Sequence, residues 1–299
     1  MKILLIGTGG TIAGVQENGS SDNSAYTSGV LSVENILDSL CLDEIPMNTR
    51  IVTTQFCNIN SDDITDIMWL DLAKYINQES NAYDAIIITH GTDTLEETCF
   101  FLDLTTVHRI PVILTCAMYP ATSPIADGPS NLLESIKYAC ISCAAGNEYH
   151  GVVVAFGGKI ITSFGLHKAI LNNEFTFNDY QVDWGEISDW NKYYDISHTH
   201  KLPYVPIAYF SANTPSDILY YHVDMGAQAI VLAGAGAGEY SEDWIQAVED
   251  LSAKGIIFIR TSKISKAPVN NNRRLSKSTL SGGSLSCEKA SVLTSLHLI

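Results

Sequence analysis

The sequence predicts an α/β protein, and three observations carry that reading. Short continuous apolar runs of strand length alternate with longer segments whose apolar residues recur at helical spacing. Two of the apolar runs end in compact Gly/Thr motifs, the place where open parallel sheets carry their sites. The chain of 299 residues is 46% hydrophobic, enough to fill the core of one large domain or two ordinary ones.

The elements follow in order. Ile3–Gly7 is an unbroken apolar run closed by glycine and reads as a buried parallel strand. Residues 16–29 are rich in Gly, Ser and Asn and read as a mobile loop. Residues 50–56 read as a strand. Ile64, Ile67, Met68, Leu72, Tyr75 and Ile76 have helical spacing, with Ser61 or Asp62 as the expected N-cap. Strands are expected at 84–89, 111–117 and 151–156, and helices at 95–104 and 130–145. After Asp183 the pattern fades, and residues 184–205 read as the connection to a second domain. Strand and helix then alternate at 206–210, 216–225, 229–233, 241–253 and 256–260. Polar residues 263–286 read as a loop and 289–298 as a short helix. The expected organisation is an N-terminal domain over 1–183, a linker over 184–205 and a smaller α/β domain over 206–299.

Composition narrows the function. A formal net charge of −16 argues against nucleic acid and anionic membranes as partners, because both are bound through Lys and Arg. No apolar run approaches the roughly 20 residues that cross a bilayer. The start, MKILLIGTGGTIAG, does not read as a signal peptide, and seven scattered cysteines suit a reducing compartment, so a cytoplasmic location is expected. Cys140 and Cys143 form a C-x-x-C without two further ligands at zinc spacing, and His198 and His200 lack a third ligand, so no metal is expected.

Two strand ends concentrate chemistry-bearing residues. Gly7-Thr8-Gly9-Gly10-Thr11-Ile12 begins like a dinucleotide fingerprint, but Ile12 occupies the third glycine position. Its glycines alternatively let the backbone approach a small ligand and expose the Thr11 hydroxyl, or form a plain turn. His90-Gly91-Thr92-Asp93-Thr94 follows the apolar run 85–88. Two hydroxyls at one crevice with an adjacent carboxylate suit attack on a carbonyl. A threonine is a weak nucleophile and needs a base, such as a lysine, and donors aimed at the oxyanion. Taken singly, each motif equally fits a residue that caps the next helix.

The pair TGGTIAG and THGTDTLEET resembles the bacterial-type L-asparaginase family. NINSDDITDIMWLDLAKYIN and PVILTCAMYPATSPIADGPSNL extend the resemblance, closest to the branch typified by exported bacterial asparaginases, and AGAGAGE and SGGSL continue it more loosely. The resemblance implies a doubly wound, mostly parallel N-terminal domain with a smaller α/β C-terminal domain, and an assembly of tight dimers as homotetramer or homodimer. It implies that Thr11 is the primary nucleophile and Tyr26 its partner, with Thr92, Asp93 and Lys168 as a second catalytic group. Ser61 is implied to hold the substrate carboxylate and Asp93 its ammonium. The implied reaction is hydrolysis of asparagine through an acyl-enzyme to aspartate and ammonia, with no cofactor. Glutaminase-asparaginase activity, the asparaginase-like subunit of a tRNA amidotransferase, and a catalytically silent amino-acid sensor are the alternatives.

Three departures from the family pattern stand out. Asn60-Ser61-Asp62 replaces the usual Gly-Ser-Gln, so a charged residue stands at the ammonium site. An asparagine expected from the neighbouring subunit aligns with Ala237, and an expected carboxylate falls within 270–272, which holds only asparagine.

Overall fold

The computed structural model describes residues 1–16, 25–145, 151–269, 275 and 277–299. It separates into two compact units, Met1–Asp179 and Tyr180–Ile299.

The first unit is built on β1 (Lys2–Gly9), buried along nearly its whole length. The chain then forms a small antiparallel ladder between β2 (Val15–Gln16) and β3 (Tyr26–Thr27), where a plain loop was expected. Strands of two residues are too short to leave a periodic signal. Residues 17–24 of that expected loop lie outside the described residues. Helix α1 (Val33–Asp38) starts at Ser32, whose hydroxyl accepts from Asn35 N at 3.3 Å, and β4 (Arg50–Ile59) follows.

Helix α2 (Asp66–Glu79) buries Leu70, Leu72, Ala73 and Ile76 on one face. Its N-cap is Thr65, whose hydroxyl accepts from Met68 N at 3.3 Å. The expected cap at Ser61 or Asp62 is thus corrected: those residues form a separate 3-10 turn, Ser61–Asp63, which ends before the helix begins. Next come β5 (Ala85–Thr89), α3 (Leu95–Thr105), β6 (Val112–Thr115), α4 (Gly128–Ala145) and β7 (Val152–Phe156). Cys140 and Cys143 fall inside α4.

Three further strands close the unit where the sequence gives no clear pattern: β8 (Lys159–Thr162), β9 (Leu166–Leu171) and β10 (Glu174–Asp179). They are largely exposed, so their apolar residues do not alternate cleanly. Asn172 and Asn173, at φ 52° and 65°, make the two-residue turn of the β9–β10 hairpin. Paired left-handed residues of this kind match the twist of a hairpin, and Asn tolerates them.

The large sheet has the order β4-β1-β5-β6-β7-β8, parallel except for β8. One face packs Ile3, Leu5, Ala85, Ile87, Ile113 and Val153 against Val33 and Ile36 of α1 and Leu132 and Ile136 of α4. Helix α3 lies against β7 and α2. The chain passes from β1 to β4 on one side and later to β5 on the other. Connections therefore leave in opposite directions at the carboxyl ends of β1 and β5, which opens a crevice there.

The second unit holds a parallel sheet of order β11 (Ile207–Tyr209), β12 (Ala229–Gly234), β13 (Ile257–Ser262) and β14 (Leu280–Ser281). Its helices are α5 (Asp217–Asp224), α6 (Glu242–Ser252) and α7 (Cys287–His297). Fully buried Trp244 anchors its core and donates from Nε1 to Thr214 O at 2.9 Å. Strand β14 lies within the stretch expected to be loop. No described helix is long and apolar enough to cross a membrane.

Candidate active site

The crevice between β1 and β5 is shaped by backbone contact. Gly10 has φ 80° and ψ −174°, a conformation open essentially to glycine alone. A Cβ there would run into Gly91 Cα and come within 2.5 Å of Gly91 N. A Cβ on Gly91 would in turn meet Ser61 Oγ at 2.6 Å. Three loops, after β1, β4 and β5, are thus pressed together with no side chain between the glycines.

Thr11 opens a 3-10 turn directly after Gly10 and is only 8% exposed. The β2–β3 ladder pairs Gln16 with Tyr26 and folds the chain back, so that the Tyr26 hydroxyl lies 2.7 Å from Thr11 Oγ1. Either oxygen can be the donor. The bond therefore offers the Thr11 proton a place to go.

The second group gathers on the loop after β5. Lys168 Nζ donates to Thr92 Oγ1 at 2.9 Å and to Asp93 Oδ1 at 2.5 Å. Lys168 is carried on β9, directly opposite Phe177 of β10. Phe177 is buried and packs edge-on against Phe156 at 5.3 Å. The Asp93 side chain remains 62% exposed, so most of the carboxylate is open to a ligand. Ser61 Oγ accepts from Asp93 N at 3.1 Å, and Thr94 Oγ1 donates to Ser61 O at 2.7 Å. The Ser61 hydroxyl proton is then free to point at an incoming carboxylate. Asp62 is exposed beside it.

Thus Ser61, Thr92, Asp93 and Lys168 form one bonded group, Thr11 and Tyr26 form another, and Gly10 and Gly91 join their loops. Ala237 lies half-exposed in a tight turn bracketed by the Ala235–Glu239 bridge. Residues 270–272 lie outside the described residues. His198 and His200 are exposed in a turn. Among the described residues no group of three His, Cys, Asp or Glu is placed to hold a metal ion.

Two further features bear on the site: one was not singled out from sequence, and one, His90, was named there only as part of its motif. Asp127 accepts from Met118 N and Tyr119 N, both at 3.0 Å, and Asn131 Nδ2 donates to Cys116 O at 3.0 Å. Together they fix the loop after β6, the next strand end beyond β5. Their signal was the IADGPSN run, an acidic residue ahead of a helix. His90 is fully buried, and burial pushes its pKa down to about 4, opposed by its bond to Gly91 O at 2.7 Å. It is therefore neutral at physiological pH and braces the turn rather than carrying charge.

Comparison with known proteins identifies the family of the chain. Residues 2–194 match the family model of the asparaginase N-terminal domain, and residues 204–299 that of the glutaminase/asparaginase C-terminal domain. A probable periplasmic L-asparaginase of Haemophilus influenzae is 32% identical, with 99% of this chain and 88% of that protein covered. L-asparaginase 2 of Escherichia coli is 31% identical over the same shares. The crystal structure of a probable cytoplasmic L-asparaginase from Campylobacter jejuni superimposes with a TM-score of 0.85 at 28% identity, covering 99% of this chain and 94% of that one.

Proposed function

The chain belongs to the asparaginase family and is an amidohydrolase, and from that premise we propose that it hydrolyses asparagine to aspartate and ammonia through an acyl-enzyme formed on Thr11. One observation carries the assignment of roles: a single ammonium, Lys168, is bonded at once to a buried threonine hydroxyl and to an open carboxylate. This lies at a sheet crevice whose other wall holds a hydroxyl pair.

Thr11 Oγ1 attacks the side-chain amide carbon, and its proton passes to the Tyr26 oxygen, which gives its own proton onward to the leaving nitrogen. The C–N bond breaks, ammonia leaves, and an ester to Thr11 remains. Water then adds to the ester and releases aspartate. Thr92, polarised by Lys168, orients that water and stabilises developing negative charge, as a fixed positive group does best in a site shielded from solvent. Asp93 holds the substrate ammonium, with Asp62 adding a second negative charge at the rim. Ser61 donates to the substrate carboxylate. The catalytic threonines belong to an N-terminal domain of about 183 residues, with 206–299 as the smaller domain.

A glutaminase-asparaginase is the second reading, favoured by the description of the C-terminal family model. The two substrates differ by one methylene, which a pocket discriminates by only about 1–3 kcal/mol. The reading includes a homo-oligomer, dimer or tetramer. It also includes a cytoplasmic location, supported by seven free cysteines; the relatives' names carry both compartments. The test is ammonia release by the purified protein from asparagine and from glutamine. A kcat/KM at least tenfold higher for asparagine is expected. Equal values favour the second reading, and no release from either overturns both.

A further inference from the structure

Lys168 stands at the point where its strand stops being held. In β9 Leu166 is buried and Lys168 partly so, but beyond it the hairpin projects: Ile170 is 66% exposed and Leu171 56%, with Phe175 opposite them at 59%. A two-stranded ribbon has little stability of its own. The direction of the Lys168 side chain therefore depends on how the base of the ribbon is tied down.

One tie is adjacent. His167 Nδ1 lies 3.0 Å from Glu96 Oε2, with the two side chains 27% and 13% exposed. Successive residues of a strand project to opposite faces. His167 and Lys168 thus leave β9 in opposite directions, yet their partners, Glu96 on one side and Thr92 and Asp93 on the other, lie within five consecutive residues. Two successive residues of β9 are thus tied to the segment from Thr92 to Glu96 that leads into α3. We propose that the Glu96–His167 pair is a positioning device for the reaction: it fixes the backbone of β9 against the first turn of α3 and so aims Lys168 Nζ at Thr92 Oγ1. His167 touches no reacting atom.

The geometry also predicts which kinetic constant responds. Asp93, the site of the substrate ammonium, has its backbone held by Ser61 through Asp93 N and Thr94 Oγ1, while its carboxylate also accepts from Lys168 of β9. Loosening β9 therefore leaves the Asp93 loop and its mostly exposed carboxylate in place for the ammonium, and acts chiefly by misaligning Lys168 from Thr92. A misplacement of about 1 Å can cost on the order of a hundredfold in rate. The pair is partly open to water, so a smaller loss is expected.

The inference rests on the role of Lys168 proposed above. The experiment measures kcat and KM for asparagine in His167→Ala, Glu96→Ala, the double variant and His167→Asn, with Lys168→Met as control. His167→Ala and Glu96→Ala are expected to lower kcat about tenfold with KM within twofold. The double variant should lose no more than either single one. His167→Asn, whose side-chain amide donates from near the same place, should recover most of kcat. Unchanged kcat in His167→Ala, losses that multiply in the double variant, or a rise in KM alone would overturn the inference. If His167→Ala proves too unstable to assay, His167→Leu, which lacks the donor, is compared with His167→Asn, and equal kcat overturns it. Activity surviving in Lys168→Met would instead remove Lys168 from the mechanism, a distinct failure.

Discussion

Gly10 and Gly91 stand back to back at the carboxyl ends of adjacent strands, so close that a Cβ on the first would lie 2.5 Å from the backbone nitrogen of the second. This contact joins the loop bearing Thr11 to the loop bearing Thr92. Gly10→Ala meets two obstacles: a backbone conformation that costs a side chain about 1–3 kcal/mol, and displacement of the Gly91 loop. The variant is expected to lose turnover by at least a hundredfold even where it still folds, because the two hydroxyl groups move apart. Urea unfolding and steady-state kinetics on the same preparation check both effects. Full turnover would mean the loops need not touch.

Thr92→Val exchanges a nearly buried hydroxyl for a methyl at almost constant volume, whereas Thr11→Ala removes the hydroxyl together with the methyl beside it. Each should lower kcat by several orders of magnitude and leave the melting temperature within a few degrees. Tyr26→Phe removes only the proton path, and its loss should lie in the roughly 10²–10⁴-fold range of general acid–base catalysis. A threonine variant that keeps near-normal turnover is not the nucleophile or its counterpart.

These two threonines stood out in the sequence because each follows an apolar run and a glycine, and strand ends are where an open sheet exposes side chains; their roles came from the family resemblance. Lys168 was legible only through family resemblance. Its strand has the burial of a ribbon edge rather than of a core, and no period marks it. The Glu96–His167 contact joins residues 71 apart in sequence. It becomes visible only once β9 is known to cross the start of α3. The cap of α2 was misplaced for a local reason: Ser61, Asp62 and Thr65 are all good capping residues, and the intervening 3-10 turn decides among them.

The Asp103 carboxylate, nearly fully buried on α3, lies 3.1 Å from His108 Nε2 and accepts from Val152 N at 2.6 Å and from Ser163 Oγ. Asp103 raises the His108 pKa, and burial opposes it. A raised folded-state pKa means that the charged pair stabilises the fold fully below the unfolded value near 6.5. That stabilisation is lost as pH rises through the folded pKa. The melting-temperature difference between the wild type and His108→Gln should accordingly be larger at pH 5.5 than at pH 9. A difference that is flat or grows with pH removes the linkage.

The oligomer is tested by light scattering at micromolar concentration, where a species of at least two chains is expected. Ala237 bears on this directly. The residue expected there from family resemblance reaches the neighbour's site with a side-chain amide, and alanine has none. Ala237→Asn should therefore change KM by less than about threefold without changing the assembly. A fully active monomer would show that no neighbour completes the site.

Asp62 is the departure from the family pattern with the clearest electrostatic consequence. Thr65 caps α2, so Asp62 has no capping duty there and is exposed beside Ser61. Its charge is solvated, so its attraction for a substrate ammonium belongs to the weak class of exposed pairs, about 0–1 kcal/mol. That corresponds to at most a few-fold in affinity. Asp62→Gln should raise KM for asparagine about two- to fivefold with kcat nearly constant, since the reacting carbonyl is served by other groups. Salt supplies the discriminating measurement, because exposed charges are screened over about 8–10 Å at 0.1–0.15 M ionic strength. Wild-type KM should rise between 20 mM and 500 mM salt, and the Asp62→Gln profile should be flatter and meet it at high salt. Parallel profiles, offset or not, would show that the Asp62 charge does not reach the ammonium and that Asp93 alone holds it.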